Sequence, residues 1–244
     1  MQLIIDIGNT LIKYYVFEGE SIIESCSEKH CDWHHSLDRI LKVYPKLKAV
    51  IVSDVRGTIL KELQEALKPL PVVLCSFDLK LPFTTKYTPS QQLGQDRIAL
   101  LAACCKLYSN KNVLVIDVGS CITYDFIDQN AVHHGGAISP GFSMRYKSMH
   151  DYSGKLPLLQ REQQQNNLIG TSTAEAMHSG VFHGISHELQ GIIASYQINH
   201  KHLTVILTGG DAQMLSKPLK NSIFAHSNFL AEGLNHILAM NKIS

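Results

Sequence analysis

Two segments of this chain share one order of apolar and polar positions. Leu3 to Thr10 reads LIIDIGNT and Leu114 to Cys121 reads LVIDVGSC, so each is an apolar run that ends in Asp, any residue, Gly and a polar residue. Another apolar run follows each segment, at 11–17 and at 122–127. Apolar runs of this length on either side of a glycine turn are typical of paired β-strands. The pattern therefore predicts two β-hairpins of the same design.

The repeat predicts that the chain consists of two similar halves. The glycines of the two turns, Gly8 and Gly119, stand about one small domain's length apart. We place the N-terminal half at 1–108 and the C-terminal half, with helices for dimerisation, at 109–244.

The remaining pattern predicts strands and helices in alternation, which indicates an α/β protein. A polar, turn-prone stretch is expected at 84–92. Strands are predicted at 49–52, 72–75 and 203–207, and helices at 57–68, 96–108, 172–196 and 229–240.

Composition and charge narrow the class of protein. The chain has 244 residues, of which 45% are hydrophobic and 18% charged, enough apolar material for a sizeable core. Its formal net charge of +1 provides no field of one sign, so we expect neither nucleic acid nor a membrane as partner. No secretory signal and no apolar run of about 18 residues is present, which predicts a cytoplasmic protein.

Six cysteines and 13 histidines raise the question of a disulfide or metal site. The cysteines form no Cys-x-x-Cys pair, and we interpret them as buried or incidental thiols. The Cys and His residues within 26–35 lack the paired spacing of a zinc site, so we interpret them as a polar helix face. His183 and His187 are interpreted as a surface pair, because the glutamate of the metalloprotease motif is missing.

The first glycine turn has the residues of a phosphate clamp. Backbone amides beside Gly8 and the Thr10 hydroxyl can bond phosphate oxygens, Lys13 adds positive charge, and Asp6 can hold hydrated magnesium. An ordinary Gly-Asn hairpin turn would explain this segment equally well on its own. The repetition at 117–120 and a further glycine turn at 208–211 favour the clamp, since neither a Walker A sequence nor Gly-x-Gly-x-x-Gly occurs.

A third group of residues surrounds a predicted helix start. Asp96 alone would be an N-cap and Arg97 its exposed neighbour. The functional interpretation is that Asp96 accepts a proton from a substrate alcohol, while Arg97 binds an anionic part of that substrate. Tyr87 precedes this group by a short polar stretch.

Six short motifs, in this order and at these intervals, resemble the type III pantothenate kinases over essentially the whole chain. They are Asp-x-Gly-Asn-Thr at 6–10, Gly-x-Asp-Arg at 94–97, Asp-x-Gly at 117–119, Gly-Gly-Ala-Ile-Ser-Pro-Gly at 135–141, Leu-Pro at 156–157 and Thr-x-x-Ala-x-x-Ser-Gly at 173–180. The resemblance implies two ribonuclease H-like halves, as in the superfamily of sugar kinases, heat-shock ATPases and actin. From the residues alone, 135–141 is interpreted as a close-approach loop under the substrate or a glycine-rich connection.

The resemblance also implies an activity, the ATP-dependent phosphorylation of pantothenate to 4′-phosphopantothenate in coenzyme A biosynthesis, with Asp96 as general base. The implied ATP-binding residues are Asp6, Ile7, Gly8, Asn9, Thr10, Leu11, Ile12, Lys13 and Ser120. The implied pantothenate-binding residues are Tyr87, Gly94, Gln95, Asp96, Arg97 and Thr173. A monovalent cation, potassium or ammonium, is implied at Asp117, and magnesium with ATP. The family is homodimeric with pantothenate enclosed at the subunit interface, so Thr173 of one subunit would serve the site of the other.

Two departures from the family pattern stand at functional positions. Ser120 and Cys121 replace Thr-Ala; the serine keeps the hydroxyl, whereas the cysteine is larger than alanine. Gln95 stands where an aliphatic residue is common, and we expect little effect because its main chain would make the contact. Two alternatives stay open: a non-catalytic nucleotide-binding accessory regulator, against which Asp6, Asp96 and Arg97 speak, and a kinase of another small alcohol.

Overall fold

The computed structural model describes residues 1–161, 167–215, 219, 223–224 and 228–241. Within these residues, strands and helices alternate along the chain. The strands are β1 (Gln2–Ile7), β2 (Leu11–Glu18), β3 (Ser21–Lys29), β4 (Ala49–Asp54), β5 (Val72–Leu74), β6 (Thr84–Thr85), β7 (Val113–Val118), β8 (Cys121–Ile127), β9 (Val132–Pro140), β10 (Thr204–Thr208) and β11 (Ile223–Phe224). The helices are α1 (Trp33–Val43), α2 (Leu60–Ala66), α3 (Gln95–Leu107), α4 (Phe142–Asp151), α5 (Thr173–Asn199) and α6 (Phe229–Met240).

The two sheets have the same strand order. The first runs β3-β2-β1-β4-β5, with β2 antiparallel to both β3 and β1, and β4 parallel to both β1 and β5. The second runs β9-β8-β7-β10-β11, with β10 parallel to both β7 and β11, and adds β6 outside β9. The duplication predicted from two short segments therefore extends to a complete five-stranded unit.

Each sheet has its own hydrophobic core. In the first, Leu3, Ile5 and Ile7 of β1 are fully buried and pack with Leu37 and Ile40 of the amphipathic α1. In the second, the long α5 contributes Val181, Ile185 and Leu189 to a cluster with the inward side chains of β7 and β8. Central strands that are covered on both faces have continuous apolar sequences, which is why β1 and β7 could be predicted from the sequence.

The chain forms two compact units. The first consists of Met1–Asn110, Ile127–Gly135 and the C-terminal segment that contains α6. The second consists of Lys111–Phe126 and the described part of 136–227. Helix α6 packs on α3 within the first unit, although it follows the second unit in the sequence.

Most predicted elements are present, with changes at their ends. Both hairpin strand pairs are confirmed, and α6 has the predicted bounds. The helix predicted at 57–68 is shorter and begins only at Leu60, after Gly57 in the left-handed conformation (φ +67°). The stretch expected to be a polar turn at 84–92 contains the short strand β6.

The sequence was interpreted as a close-approach loop or a glycine-rich connection at 135–141. In the structure this segment is the second half of β9 followed by the start of α4. Its glycines do serve close approach, but to neighbouring backbone. A Cβ on Gly136 would stand 1.6 Å from the Tyr124 carbonyl oxygen, and one on Gly141 would stand 2.1 Å from that of Gly119. The lack of side chains on these glycines therefore lets the β8 backbone and the β7–β8 turn pack against this segment. Composition alone does not distinguish glycines in such a packed strand from glycines in a loop.

Candidate active site

The tip of the first hairpin is a four-residue turn, closed by a hydrogen bond of 3.1 Å from the Gly8 amide to the carbonyl three residues further on. Ile7 and Ile12 face each other across the ladder and are fully buried. A ligand at the tip can therefore meet these two predicted ATP-binding residues only through their main chain. The side chains left exposed at the tip are those of Asn9, Thr10 and Leu11.

Two side chains from outside the hairpin hold this turn. His30, just after β3, donates from Nε2 to the Gly8 carbonyl at 3.0 Å. Arg56, after β4, donates from Nη1 to the Asn9 carbonyl at 3.3 Å. The sequence analysis missed both contacts, since His30 was grouped with nearby cysteines and nothing in its local pattern points to a glycine in another hairpin.

Asp6 is a buried carboxylate with charged neighbours. It lies on β1, opposite Lys13 of β2 and the fully buried Ser53 of β4. Burial raises the pKa of Asp6 to about 6; the charge of Lys13 lowers this pKa and the charge of Asp96 raises it. Asp6 and Asp96 are therefore close enough to feel each other's charge.

Asp96 lies in the first turn of α3. Its Oδ1 accepts the backbone N–H of Arg97 at 2.8 Å, one of the amides that a helix start leaves without an intrahelical partner. A Cβ on the preceding Gly94 would stand 2.6 Å from the same Oδ1. Glycine at 94 thus makes room for the carboxylate, and the helix N-terminus favours its negative charge.

The buried Asp6, with the charge of Asp96 nearby, suits a divalent cation. The two carboxylates can carry two negative charges, whereas Lys13 supplies one positive charge, and burial disfavours the remaining negative charge. Magnesium prefers such oxygen ligands together with substrate phosphates. The residues present therefore fit magnesium delivered with a nucleotide.

Gln95, at the first position of α3, binds through its side chain as well as its main chain. Its Oε1 accepts the backbone N–H of Asp54 at 2.8 Å, and its carbonyl accepts the Cys75 thiol at 3.7 Å. Asp54 in turn accepts the amides of Arg56 and Gly57 at 2.8 Å each. The Gln95 side chain therefore has a structural role that the sequence did not predict, since it joins the start of α3 to the end of β4.

Tyr87 and Arg97 meet at the same end of α3. The Arg97 guanidinium carbon lies 5.1 Å from the centre of the Tyr87 ring, within the range of a cation–π contact. Arg97 is almost completely buried, at 4% exposed, while Tyr87 is half-buried. A largely desolvated guanidinium beside a partly open ring is suited to a carboxylate of a small substrate.

The second glycine turn, in the other unit, is tighter than the first. The Gly119 amide donates to the carbonyl of Cys121 at 3.0 Å, one residue closer than the equivalent bond of the first turn. The Gly141 amide donates to the Ser120 carbonyl at 3.1 Å. Ser120 is partly exposed, so its hydroxyl is accessible to a ligand.

Oxygen atoms converge beside Asp117, at the end of β7. Gly209 follows β10 with φ +101°, and a Cβ there would stand 2.4 Å from both Asp117 Oδ1 and the Val118 carbonyl oxygen. The Asp211 amide donates to the same Val118 carbonyl at 3.0 Å. Carboxylate and carbonyl oxygens are the donors that hard cations take, so this donor set fits a cation at Asp117.

Thr173 is the first residue of α5 and is exposed. The preceding Ser172 caps the helix, since its hydroxyl accepts the Glu175 amide at 3.3 Å. A Cβ on Gly170 would stand 2.2 Å from the Ala176 amide nitrogen, so the chain before α5 lies tightly on the first turn of the helix. Thr173 is thus presented at a well-fixed helix start in the second unit.

Two polar clusters inside the second unit were not singled out in the sequence. Glu188 of α5 accepts a hydrogen bond of 2.7 Å from the Tyr124 hydroxyl and further bonds from Ser139 and Arg145. His178, for which the sequence suggested no role, shares a hydrogen bond of 2.8 Å between its Nδ1 and the Tyr146 hydroxyl. Both clusters satisfy buried polar atoms between packed elements, a structural function.

In the part of the chain that the structure describes, no group of three or more His, Cys, Asp or Glu side chains is arranged to hold a metal ion by itself. No helix among the described residues is long and apolar enough to cross a membrane.

Comparison with known proteins gives a matching family model and relatives that span almost the whole chain. The family model for type III pantothenate kinase matches residues 2–195. A type III pantothenate kinase from Christiangramia forsetii is 46% identical over 243 residues, covering 99% of both chains.

Solved structures with much lower identity share the fold. The activator of the 2-hydroxyisocaproyl-CoA dehydratase from Clostridium difficile has a TM-score of 0.57 at 12% identity, over 98% of this chain and 93% of the other. A glucokinase from an Antarctic psychrotroph has a TM-score of 0.54 at 12% identity, over 98% of both chains. The likeness to such proteins confirms the predicted architecture of two similar α/β halves.

Proposed function

The chain belongs to the type III pantothenate kinase family. On that premise we propose that it transfers the γ-phosphoryl group of ATP directly to the primary hydroxyl of pantothenate, with Asp96 as the general base. The observation that carries the residue assignment is the position of Asp96 in the first turn of α3, near Asp6 and next to Arg97.

In the proposed reaction the Asp96 carboxylate accepts the hydroxyl proton of pantothenate. The freed oxygen forms a bond to the γ-phosphorus as the bond from that phosphorus to the bridging oxygen breaks, and ADP leaves. Arg97 pairs with the pantothenate carboxylate, and Tyr87 holds the guanidinium beside it. With Gly94 and Gln95, they fix the alcohol in line with the donor, which converts the encounter into an oriented reaction.

ATP enters with a divalent metal, as the kinase family implies, and we assign its phosphates to the first turn. The amides of Asn9 and Thr10, the Thr10 hydroxyl and the charge of Lys13 are proposed as the donors there, while the Gly8 amide closes the turn. The main chain of Ile7, Leu11 and Ile12 completes the turn, and Ser120 makes a further ATP contact. Asp6 would hold the hydrated magnesium, which would neutralise phosphate charge.

A monovalent cation, potassium or ammonium, is proposed at Asp117. The Asp117 carboxylate and the Val118 carbonyl provide oxygen donors, and the lack of a side chain on Gly209 lets its backbone lie against both. Removing potassium and ammonium from the assay should lower turnover, and replacing Asp117 by Asn should weaken the dependence on the added cation.

A homodimer is proposed as the active form, with Thr173 serving the neighbouring subunit. Three large apolar side chains between α4 and α5 are mostly exposed: Tyr152 at 90%, Leu168 at 68% and Ile169 at 79%. A contiguous patch of such side chains would suit an interface between subunits. Light scattering on the purified protein should give twice the mass of the chain. A location in the cytoplasm, where ATP is supplied, completes the proposal.

Replacing Asp96 by Asn tests the assignment. The amide keeps the size and the bond to the Arg97 amide but cannot take the proton, so turnover should fall about 10²-fold or more while folding and ATP binding persist. The assay measures ADP release with pantothenate and with a panel of other small alcohols. Near-normal turnover of the variant would contradict the role of Asp96 as general base. ADP release that does not depend on pantothenate would contradict pantothenate as the substrate.

A further inference from the structure

One histidine that the proposed reaction does not use lies directly behind the pantothenate residues. His133, on β9, is completely buried, whereas its neighbour His134 faces outward. Strand β6 pairs with β9 so that Thr85 lies opposite His133. All these residues, with Tyr87 and α3, belong to the first compact unit.

His133 contacts Tyr87 in two ways. The two rings are stacked, with centroids 6.3 Å apart and planes 18° from parallel. His133 Nδ1 also shares a hydrogen bond of 2.8 Å with the Thr85 hydroxyl, and that hydroxyl accepts the backbone N–H of Tyr87 at 3.0 Å. Both the ring and the main chain of Tyr87 are thus fixed from the same buried side chain.

Tyr87 in turn carries Arg97, whose guanidinium carbon lies 5.1 Å from the same ring centre. Tyr87 itself is only half-buried and follows a two-residue strand, and the Lys86 amide before it donates to the His133 carbonyl at 2.8 Å. Phe83 adds an edge contact to His133, with centroids 6.4 Å apart, and closes the buried side of the imidazole. The histidine is therefore part of the support of the ring on which the guanidinium lies.

We propose that His133 is a positioning residue of the pantothenate carboxylate subsite: its ring holds Tyr87, and Tyr87 holds Arg97 at the angle needed to pair with the carboxylate. The proposal rests on the function given above and adds a residue to it. A bidentate pair between guanidinium and carboxylate depends on orientation, so loss of the support should weaken substrate binding more than the chemical step.

The first test compares KM and kcat for His133→Ala. We expect KM for pantothenate to rise about tenfold, with kcat changed less and KM for ATP unchanged. His134→Ala is the matched control, because His134 is the adjacent residue on the same strand and its bonds go to Asp128 and Lys86. An unchanged KM for pantothenate in His133→Ala would overturn the proposal, and so would an equal rise in His134→Ala.

Two further variants separate the stacked ring from the hydrogen bond and keep the test valid if His133→Ala folds poorly. His133→Phe keeps a flat ring without Nδ1, and His133→Asn keeps a polar atom near the Nδ1 position without the ring. We expect His133→Phe to stay within about threefold of the wild type in KM and His133→Asn to behave like the alanine variant. The reverse order would overturn the role of the stacked ring.

The decisive measurement uses pantothenyl alcohol, in which a hydroxymethyl group replaces the carboxylate. Its affinity is measured as a competitive inhibition constant, so the result does not depend on its own turnover. Because this ligand cannot pair with Arg97, His133→Ala should change its affinity less than twofold while weakening pantothenate. Equal losses for both ligands would show a general structural defect and overturn the proposal. A wild-type enzyme without pantothenate-dependent ADP release would instead refute the proposed function.

Discussion

The two Asp-x-Gly turns begin from nearly the same sequence but are built differently. The first, at 6–10, has an exposed tip, a buried Asp6 opposite Lys13, and side chains from two other segments bonded to its carbonyls. The second, at 117–121, is one residue tighter and is enclosed by the backbone of Gly141 and by Gly209. Duplication has conserved the strand order and left the surroundings of the two turns to differ.

The difference shows how each turn keeps its shape. The first is held by long side chains and retains an open surface for a ligand, and it carries a buried charge that is unfavourable without one. The second is held by close backbone contacts that admit no side chain at two glycines. These contacts leave the side chains at the tip of the first turn exposed and fix the backbone of the second turn.

The largest expected loss of stability follows from a side chain added beside the second turn. Gly209→Ala places a methyl group 2.4 Å from Asp117 Oδ1 and the Val118 carbonyl oxygen, at a φ of +101° that alanine rarely adopts. Overpacking and backbone strain together should lower the free energy of unfolding by about 3–5 kcal/mol. Urea unfolding measures it.

The adjacent glycine provides the control for this change. A Cβ on Gly210 meets nothing within 4 Å, and its φ is outside the left-handed region. Gly210→Ala should therefore stay within about 0.5 kcal/mol of the wild type. Equal losses at 209 and 210 would contradict the enclosed character of the second turn.

A smaller effect, with the opposite sign, is expected at the first turn. Burial raises the pKa of Asp6 from 3.8 to about 6, so between these pH values the folded protein keeps a proton that the unfolded chain loses. Stability is therefore lost as pH rises through this window, by about 3 kcal/mol in total for such a difference. Asp6→Asn should be more stable than the ligand-free wild type at pH 8 and nearly equal to it close to pH 4, although its activity falls.

Asp128 offers a control with the reverse sign in the same unit. Burial raises its pKa, but hydrogen bonds from His134, Val132 and Asn130 outweigh burial and hold the pKa below its usual value. Asp128→Asn should thus lower stability at neutral pH, with the loss shrinking in acid. Thermal unfolding at several pH values compares both variants, and a gain that does not grow with pH would rule out the buried charge of Asp6 as its cause.

The smallest effect concerns the connection between the first turn's surroundings and the catalytic helix. Gln95→Leu restores the aliphatic residue common in the family but removes the acceptor of the Asp54 amide. A loss of about 1–2 kcal/mol in unfolding free energy is expected when a partly buried donor is left without its acceptor. Gln92→Leu, at an exposed position just before α3, is the control and should stay near the wild type. No difference between the two would mean that water replaces the lost bond.

Sequence patterns were sufficient where the signal is local. The apolar runs before Gly8 and Gly119 identified both hairpins, and the amphipathic run at 229–240 gave α6 its bounds. They failed at 135–141, because glycine in a strand that lies against another backbone has the same composition as glycine in a loop. The contacts of His30, Gln95 and His133 join segments far apart in sequence, so no local pattern predicts them.

The sequence by itself determined the two hairpins, the alternation of strands and helices, the family, and the residue types that could bind phosphate or take a proton, because periodicity and short motifs are properties of neighbouring residues. Only the tertiary structure decided which of these side chains are buried, which turn stays open, and which residues stand behind the reacting groups. Burial and charge act through space, so the raised pKa of Asp6 and the support of Tyr87 by His133 exist only once distant strands have paired.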